Sequence, residues 1–313
     1  MFFHSCNISG PYNDDALQTI AKYQMVTIEK CMELAVRDID DEDAMVNAMV
    51  AVKKVNPKVT TYFYMSSDQE ILPMSRMARE FIQHPDYALV DDNGDRVKSP
   101  AGLYIYDLSK PVVREWWQNI CLNATKYANG DGCYCDGSQH TNLTFKPRIS
   151  AAKSKAWGEG LLNLTREMQE SLGDDKLLIG KVANQSYVKA VQLERFENNN
   201  DSINSLILGA MVGQVMQAHV PINVSCSSDL TNYIAAFLIG AGEYCYFGCG
   251  NWRSEGNDTE PLTWRPEYDK TLGAPTGQAM YKAGVWTRSF SSGTDVMFDT
   301  TTNEGTIKWG KHM

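Results

Sequence analysis

The 313-residue sequence lacks the features that would tie it to nucleic acid or to a membrane. Its formal net charge is −9, its pI is about 5.1, and it has no cluster of basic residues. An acidic chain of this kind is not expected to bind nucleic acid or an anionic membrane surface. No apolar run approaches the roughly 20 residues that span a bilayer. We therefore expect no nucleic-acid partner and no membrane partner, and we expect a monomer.

Several catalytic motifs are also missing. There is no P-loop, no HExxH zinc motif and no GxSxG nucleophile elbow, which argues against a nucleotide hydrolase, a zincin or an α/β-hydrolase. The five histidines are scattered along the chain, so their spacing does not predict a catalytic metal site. We expect no cofactor and no metal.

Cysteine is too sparse for a disulfide scaffold, with eight residues in 313 and no paired CxxC units. Cys133 and Cys135 alternate with Tyr134 in a strand-like run, and we interpret both as small buried hydrophobic residues. Cys245 and Cys249, across a short predicted turn, are a candidate disulfide pair. One or two disulfides elsewhere remain open.

The N-terminal residues MFFHSCNISG have neither a basic region nor a cleavage site, so they are not a signal peptide. The chain nevertheless contains eight Asn-x-Ser/Thr sequons, where chance would give roughly two or three. This excess predicts a secreted glycoprotein whose signal was trimmed or lies upstream; a chance excess on an Asn-rich surface is the alternative. The sequon residues are Asn7, Asn123, Asn142, Asn163, Asn184, Asn200, Asn223 and Asn257.

Short apolar segments alternate with longer segments of helical spacing. The predicted strands are MFFHSC, MVTIEK, VTTYFYM, GCYCDG, KLLIGKVAN, VKAVQLERF, GQVMQAHV and EYCYFG. Eight alternations predict an α/β chain folded as a (β/α)8 TIM barrel. The alternative is an open doubly wound sheet, which usually carries a glycine-rich phosphate loop after its first strand. The segment CNISGPYNDD, which follows the first strand here, has no GxGxxG.

Residues typical of helix starts and stops mark the ends of the predicted helices. Pro57 and Gly173 stand just past two helical segments, as helix stops do. Ser109 is a predicted N-cap and Pro111 a predicted first-turn residue of another. Trp116 and Trp117 lie in the middle of that helix, and we interpret both as core.

The C-terminal residues have a different pattern. VWTRSF and TDVMFDTTTNEGTIKWG alternate as short strands with a turn at 302–305. We predict a catalytic barrel over residues 1–285 and a small β-hairpin over residues 286–313, packed on the barrel. The aromatic loop 250–275 is expected to lie over one mouth of the barrel, although a plain surface loop is equally consistent with its composition.

In a (β/α)8 barrel the carboxyl ends of the strands build the active site, so polar residues at predicted strand ends are the candidates. Two of them, Asp136 and Glu194, are the predicted catalytic carboxylates. Two carboxylates at one mouth suit glycosidic bond cleavage, in which one attacks or activates water and the other protonates the leaving oxygen. The predicted sugar-binding residues are His4, Glu29, Tyr64, Gln217, His219 and Tyr246.

Each candidate has a structural interpretation as well. Asp136 precedes Gly137 and could simply cap the following segment, and Glu194 is next to Arg195 and could form a surface ion pair. Glu29 precedes Lys30 and could only support other residues, and His219 could be a satisfied core histidine. Asp107 is interpreted mainly as a turn residue, and Glu243 in GAGEY cannot be oriented from the sequence.

Several stretches resemble an uncharacterised glycoside hydrolase family with a TIM-barrel fold: FFHSCNISGPYND, YQMVTIEK, DGCYCDGS, GAGEYCYFGCG and WRPEYDKTLGAP–VWTRSFSSGTDVMF. The DG-apolar-Asp signature is also similar to that of endo-polygalactosaminidase-like and α-galactosidase-like barrels. The resemblance implies Asp136 as nucleophile and Glu194 as general acid/base, although the sixth-strand acid is Asp in the α-galactosidase-like enzymes.

The predicted function is hydrolysis of a polysaccharide or glycan. A catalytically inactive carbohydrate-binding barrel is the first alternative, and it predicts sugar binding without turnover. A barrel enzyme of other chemistry, such as a lyase or isomerase, is the second. Metal dependence, or products with a double bond, would favour the lyase or isomerase.

Overall fold

The computed structural model describes residues 1–36, 39–71, 74–139, 143, 148–181, 188–250 and 264–310. Eight strands form one sheet in chain order, each hydrogen-bonded to the next. The registered pairs β2–β3, β3–β4, β4–β5 and β7–β8 are parallel. The predicted (β/α)8 barrel is confirmed. The strands are β1 (Phe2–Ser5), β2 (Met25–Ile28), β3 (Thr60–Ser66), β4 (Gly132–Asp136), β5 (Leu177–Gly180), β6 (Ala190–Leu193), β7 (Val215–His219) and β8 (Cys245–Gly248).

Helices lie between most consecutive strands. They are α1 (Asp14–Ile20), α2 (Asp41–Val55), α3 (Ser75–Gln83), α4 (Pro111–Tyr127), α5 (Ala151–Leu172), α6 (Asn200–Met211) and α7 (Thr231–Gly240), with 3₁₀ turns at Pro85–Tyr87 and Pro266–Asp269. In the described segments, no helix is both long enough and apolar enough to cross a bilayer.

The observed helix ends agree with the predicted start and stop residues, with one exception. Gly173 ends α5 with φ of 76°, and Pro111 occupies the first turn of α4. The predicted N-cap at Ser109 is wrong, because Lys110 holds the cap position. The Ser109 hydroxyl instead donates to Asp107 Oδ1 at 2.5 Å, so it stabilises the preceding turn.

The chain divides into two compact units. One, here the N-terminal unit, holds His4–Ala190; the other, the C-terminal unit, holds Met1–Phe3 and the described residues from Val191 on. In the N-terminal unit Trp117 and Trp157 are fully buried. Their indole N–H groups donate to the carbonyls of Ser66 and Tyr106 at 2.6 and 2.8 Å. Satisfied polar groups, as well as apolar burial, thus fix α4 to β3 and α5 to the segment before α4.

The amino end of β4 is fixed by an aspartate. Asp131 Oδ2 accepts the backbone N–H of Thr61 at 2.8 Å and lies 2.6 Å from Lys53 Nζ. The Asp131 carbonyl also accepts the N–H of Leu177 at 2.9 Å. This residue therefore holds β3, β4 and β5 together where they begin.

In the C-terminal unit, α7 packs on an antiparallel sheet made of β9 (Met280–Lys282), β10 (Val285–Ser289), β11 (Asp295–Asp299) and β12 (Glu304–Lys308). The predicted hairpin corresponds to β11 and β12, joined by a turn with Asn303 at φ of 58°. The predicted strand VWTRSF is β10, and β9 extends the sheet by one strand that the sequence did not predict. Arg288 donates to three carbonyls at the end of α7, which suits the negative end of the helix dipole. The boundary after residue 285 stays a prediction.

The structure corrects the cysteine assignment. Disulfides join Cys6 to Cys31, Cys121 to Cys133 and Cys226 to Cys249, whereas Cys135 and Cys245 are thiols. The predicted Cys245–Cys249 pair is wrong because Cys245 begins β8. Four extended residues span roughly 13 Å, about twice the Cα separation that a disulfide tolerates. Cys133 is not a simple apolar residue, since it faces α4 and bonds Cys121, while Cys135 is buried as predicted.

Candidate active site

Asp136 is the last residue of β4, and its backbone is held firmly. Its carbonyl accepts the N–H of Ser67 at 2.8 Å and the Ser67 hydroxyl at 2.6 Å. Gly137 follows with φ of +80°, and a Cβ there would lie 2.5 Å from Asp68 Oδ1. The left-handed backbone favours glycine here, since a side chain at this φ would be strained. The Asp-Gly sequence is therefore a strand end that fixes the direction of the aspartate.

The Asp136 carboxylate has a donor on each oxygen. The Tyr64 hydroxyl, from β3, donates to Oδ2, and the Lys181 ammonium donates to Oδ1. Lys181 is the first residue after β5, and its side chain is only 10% exposed, against 30% for that of Asp136. Charge-assisted hydrogen bonds on both oxygens set the plane of the carboxylate.

These contacts decide the ionisation of the site. Burial by itself would raise the pKa of Asp136, but the charge and hydrogen bond of Lys181, with smaller contributions from Tyr64 and Lys30, hold it below the usual value. Burial, together with the charges of Asp136 and Glu29, raises the pKa of Tyr64 well above its ordinary value. At neutral pH Asp136 is therefore a carboxylate and Tyr64 remains a donor.

A second buried carboxylate, Glu29, follows β2. Its Oε2 accepts Lys30 Nζ at 2.8 Å and the Lys30 backbone N–H at 3.2 Å, and His4 Nε2 lies 3.1 Å from its Oε1. Burial opposes ionisation of Glu29, but Lys30 and His4 outweigh it and lower the pKa. Glu29 is thus ionised at neutral pH as well.

Aromatic rings connect the two carboxylates. The Lys30 ammonium lies 4.0 Å from the centroid of the Tyr64 ring, a cation–π contact. Tyr64 stacks on Tyr134 at 5.8 Å, and the edge of His4 meets Tyr134 at 4.6 Å. We call these residues, together with Lys181, the strand-end cluster: His4, Glu29, Lys30, Tyr64, Tyr134, Asp136 and Lys181.

The chemistry of the strand-end cluster follows from its charges. Two lysines balance two carboxylates, and both carboxylates are held in the ionised form. A carboxylate of this kind can attack an electrophilic carbon or take a proton from water, but it cannot supply a proton at neutral pH. A reaction that also needs a general acid must draw that acid from another residue.

The structure brings four of the predicted site residues together in the strand-end cluster: His4, Glu29, Tyr64 and Asp136. The other four belong to the C-terminal unit. Glu194 is half-buried in the turn directly after β6. Gln217 is buried in β7, and its Oε1 accepts Gln192 Nε2 at 3.1 Å. His219 ends β7, buried, with Nδ1 2.6 Å from the Val220 carbonyl, and Tyr246 lies half-buried in β8.

Other sequence candidates have structural roles or lie outside the described residues. Asp107 is buried and pairs with Ser109 and Lys110 in a turn, as its main interpretation predicted. Glu243 is exposed before β8. Asn184 and residues 251–263 of the predicted mouth loop lie outside the described residues.

Sequence reasoning missed the two lysines of the strand-end cluster. From the sequence, Lys30 is only a neighbour that makes Glu29 ambiguous, and Lys181 lies inside the predicted strand KLLIGKVAN. The available signal was that Lys181 is the first charged residue after the buried residues of β5, next to the strand that carries Asp136.

Comparison with known proteins gives both a family and a fold. A family model described as hypothetical glycosyl hydrolase family 15 matches residues 53–294. No curated protein sequence matches the chain.

Among solved structures, the chain is similar to a noncanonic maltogenic α-amylase, AmyB, from Thermotoga neapolitana, with a TM-score of 0.61 and 11% identity over 96% of this chain and 86% of that chain. The galactosidase domain of α-galactosidase–sucrose kinase AgaSK matches with a TM-score of 0.56 and 13% identity, over 94% of this chain and 45% of that one. Ega3 from Aspergillus fumigatus, solved with galactosamine, matches with a TM-score of 0.50 and 12% identity, over 80% of this chain and 90% of that chain. At these identities the likeness shows the fold alone, and the chain spans under half of AgaSK.

Proposed function

Because the chain belongs to the hypothetical glycosyl hydrolase family 15, we propose that it is a glycosidase that cleaves glycosidic bonds in a polysaccharide or glycan. The single observation that carries this proposal is the Asp136 carboxylate at the end of β4, kept ionised and oriented by Lys181 and Tyr64. The solved structures of similar fold include an amylase, a galactosidase domain and Ega3 with galactosamine, which supports a carbohydrate substrate.

Asp136 acts as the nucleophile or as the base. In the first case its carboxylate attacks the anomeric carbon as the glycosidic C–O bond breaks, and water later hydrolyses the glycosyl ester. In the second case it takes a proton from a water that attacks directly, and the anomeric configuration inverts. Both cases need an ionised, rigidly directed carboxylate, which is what Lys181, Tyr64 and Ser67 supply.

Glu194 is proposed as the general acid that protonates the leaving oxygen. Asp136 and Glu29 are both held in the ionised form, so neither suits this step. Glu194 is the acid that follows β6, and the resemblance to α-galactosidase-like barrels gives this position the acid/base role.

The remaining predicted residues are proposed to bind the sugar. In the strand-end cluster, Glu29 offers a charged acceptor, His4 a ring edge and Tyr64 an aromatic ring to the hydroxyls and apolar faces of a pyranose. Gln217, His219 and Tyr246 are proposed to do the same from β7 and β8. Three disulfides and eight sequons support a secreted protein, since disulfides persist in oxidising compartments.

The test is a reducing-end assay on a panel of α- and β-linked polysaccharides with wild type, Asp136→Asn, Glu194→Gln and Asp131→Asn. We expect the first two variants to lose roughly 10²–10⁴-fold in turnover and the Asp131 control to retain wild-type turnover when folded. Turnover that survives Asp136→Asn would remove the catalytic assignment. Sugar binding by wild type with no release from any polymer would instead favour the inactive carbohydrate-binding barrel.

A further inference from the structure

A groove separate from the strand-end cluster opens between α2, α3 and α4 on the N-terminal unit. Its volume is about 390 Å³, within the range of roughly 300–1,000 Å³ that small-molecule sites occupy. Its walls come from three helices and one strand, so it is built by the scaffold and not by a loop. The lining residues that the argument uses are Glu42, Asp43, Arg76, Glu80, Trp116 and Tyr127.

Two aromatic side chains of α4 line this groove. Trp116 is fixed in place, since its indole N–H donates to Glu80 Oε2 at 2.9 Å and its ring stacks on Phe81 at 6.3 Å and meets Tyr106 edge-on at 5.4 Å. Tyr127 is 75% exposed, although burial is the usual state of so large a ring. The prediction that Trp116 is core is wrong: Trp117 is buried, and Trp116 is half-buried in the groove wall.

The charges of the groove select among ligands. Asp43 and Glu80 line the groove with one guanidinium, that of Arg76, which lies 2.5 Å from Asp43 Oδ2, while the buried carboxylate of Glu42 accepts the backbone N–H groups of Arg76 and Met77. The groove is therefore acidic on balance and disfavours an anion. Rigid aromatic surface flanked by carboxylates, amides and a guanidinium suits a molecule with apolar C–H faces and many hydroxyls, and carboxylates beside aromatic rings also suit an amine.

We propose that this groove binds a short oligosaccharide whose pyranose residues are neutral or carry an amine, with different residues stacked on Trp116 and on Tyr127, which lie about 16 Å apart along α4. The sugar has two available sources. One is a free oligosaccharide or a segment of a polysaccharide. The other is a glycan on the protein itself, because Asn123 of the sequon Asn-Ala-Thr also lines the groove, is exposed, and lies one helical turn before Tyr127 on the same face of α4.

The first arm of the test uses protein made in a bacterial periplasm, where Asn123 stays unmodified, in the Asp136→Asn background so that the probes are not consumed. The readout is the NMR signal of the Trp116 indole N–H, assigned by its loss in Trp116→Phe. The probes are maltotetraose, a glucosamine tetramer and tetragalacturonate. Binding at the strand-end cluster leaves this signal unchanged, so failure here is distinguishable from failure of the proposed catalytic role.

We expect a saturable shift with the neutral or the amine tetramer and none with the acidic one. Tyr127→Ala should weaken the apparent affinity roughly five- to tenfold. It should leave the fold intact because the side chain is exposed. Tyr281→Ala, a 51% exposed tyrosine of the antiparallel sheet, is the matched control and should change nothing. An equal response to tetragalacturonate would overturn the assigned ligand class.

The second arm uses the same chain from a eukaryotic secretory host. Mass spectrometry of the peptide that contains Asn123 reports whether a glycan is attached, and the Trp116 signal is compared with that of Asn123→Gln. An attached glycan that shifts the Trp116 signal supports the proposal with the protein's own sugar as the occupant. Absence of a Trp116 response in both arms, or a response in the first arm that Tyr127→Ala leaves unchanged, overturns it.

Discussion

The two ends of β4 each carry an aspartate paired with a lysine. Asp131 and Lys53 lie at the amino end, Asp136 and Lys181 at the carboxyl end, and the two carboxylates are similarly exposed, at 26% and 30%. Their other partners differ. Asp131 accepts a backbone N–H of the neighbouring strand, whereas the Asp136 carboxylate accepts from the side chains of Tyr64 and Lys181.

This difference matches the division of labour in (β/α)8 barrels, where the amino ends of the strands serve stability and the carboxyl ends serve chemistry. A carboxylate that satisfies backbone groups cannot leave them without cost to the sheet. One held by the side chains of a lysine and a tyrosine can exchange these partners for a substrate without loss of a backbone hydrogen bond. The same pair of residue types is therefore structural at one end of β4 and available for reaction at the other.

The largest difference between the two ends of β4 is expected when the lysine at each end is replaced. Lys181→Met takes away the main group that lowers the pKa of Asp136, so that pKa should rise. Because the role proposed for Asp136 requires the carboxylate form, the acid limb of the pH–activity profile should move to higher pH. We expect a loss of roughly ten- to hundredfold in kcat/KM at pH 5 and a smaller loss at pH 8.

Lys53→Met is the control for that experiment, since Lys53 is comparably buried at the other end of β4. Its acid limb should coincide with that of wild type. A pH profile of Lys181→Met that overlies the wild-type curve would contradict the role assigned to Lys181.

Much of this comparison could be predicted from the sequence, but not its decisive part. The alternation of apolar strands and helical segments predicts all eight barrel strands, and the strand-end rule finds Asp136, Glu29, His4 and Tyr64. The lysine partners depend on which residues meet across neighbouring strands, and a single sequence does not supply that register. The predicted Cys245–Cys249 disulfide is wrong for a different reason. The two cysteines are close along the chain, but the extended backbone of β8 places them too far apart for a bond.

A smaller effect on activity is expected when the Tyr64 hydroxyl is removed. Tyr64→Phe removes one donor from Asp136 and leaves Lys181 in place, so kcat/KM should fall roughly tenfold, with a shift of the acid limb in the same direction as for Lys181→Met but smaller. Tyr23→Phe, another buried tyrosine, should leave both quantities unchanged. A larger shift than that of Lys181→Met would reverse the assigned order of the two donors.

At the amino end of β4, a substitution of Asp131 should lower stability and leave activity unchanged. Asp131→Ala leaves the N–H of Thr61 without its side-chain acceptor and Lys53 without its partner, so the free energy of unfolding should fall by about 1–3 kcal/mol. Urea denaturation measures this fall, and kcat of the folded fraction should stay at the wild-type value. If Asp131→Ala lowered kcat while stability held, the contrast between the two ends would be wrong.

The Cys6–Cys31 disulfide has a practical consequence for all of these measurements. Cys6 lies two residues after His4 and Cys31 directly follows Lys30, so this covalent link joins the two segments that carry three residues of the strand-end cluster. Closing a loop of this size contributes about 3 kcal/mol through the unfolded chain. Dithiothreitol in a purification buffer would therefore loosen the segments that carry His4, Glu29 and Lys30. Under the proposed function, protein handled in reductant would lose activity for this reason and not through any defect of the catalytic residues.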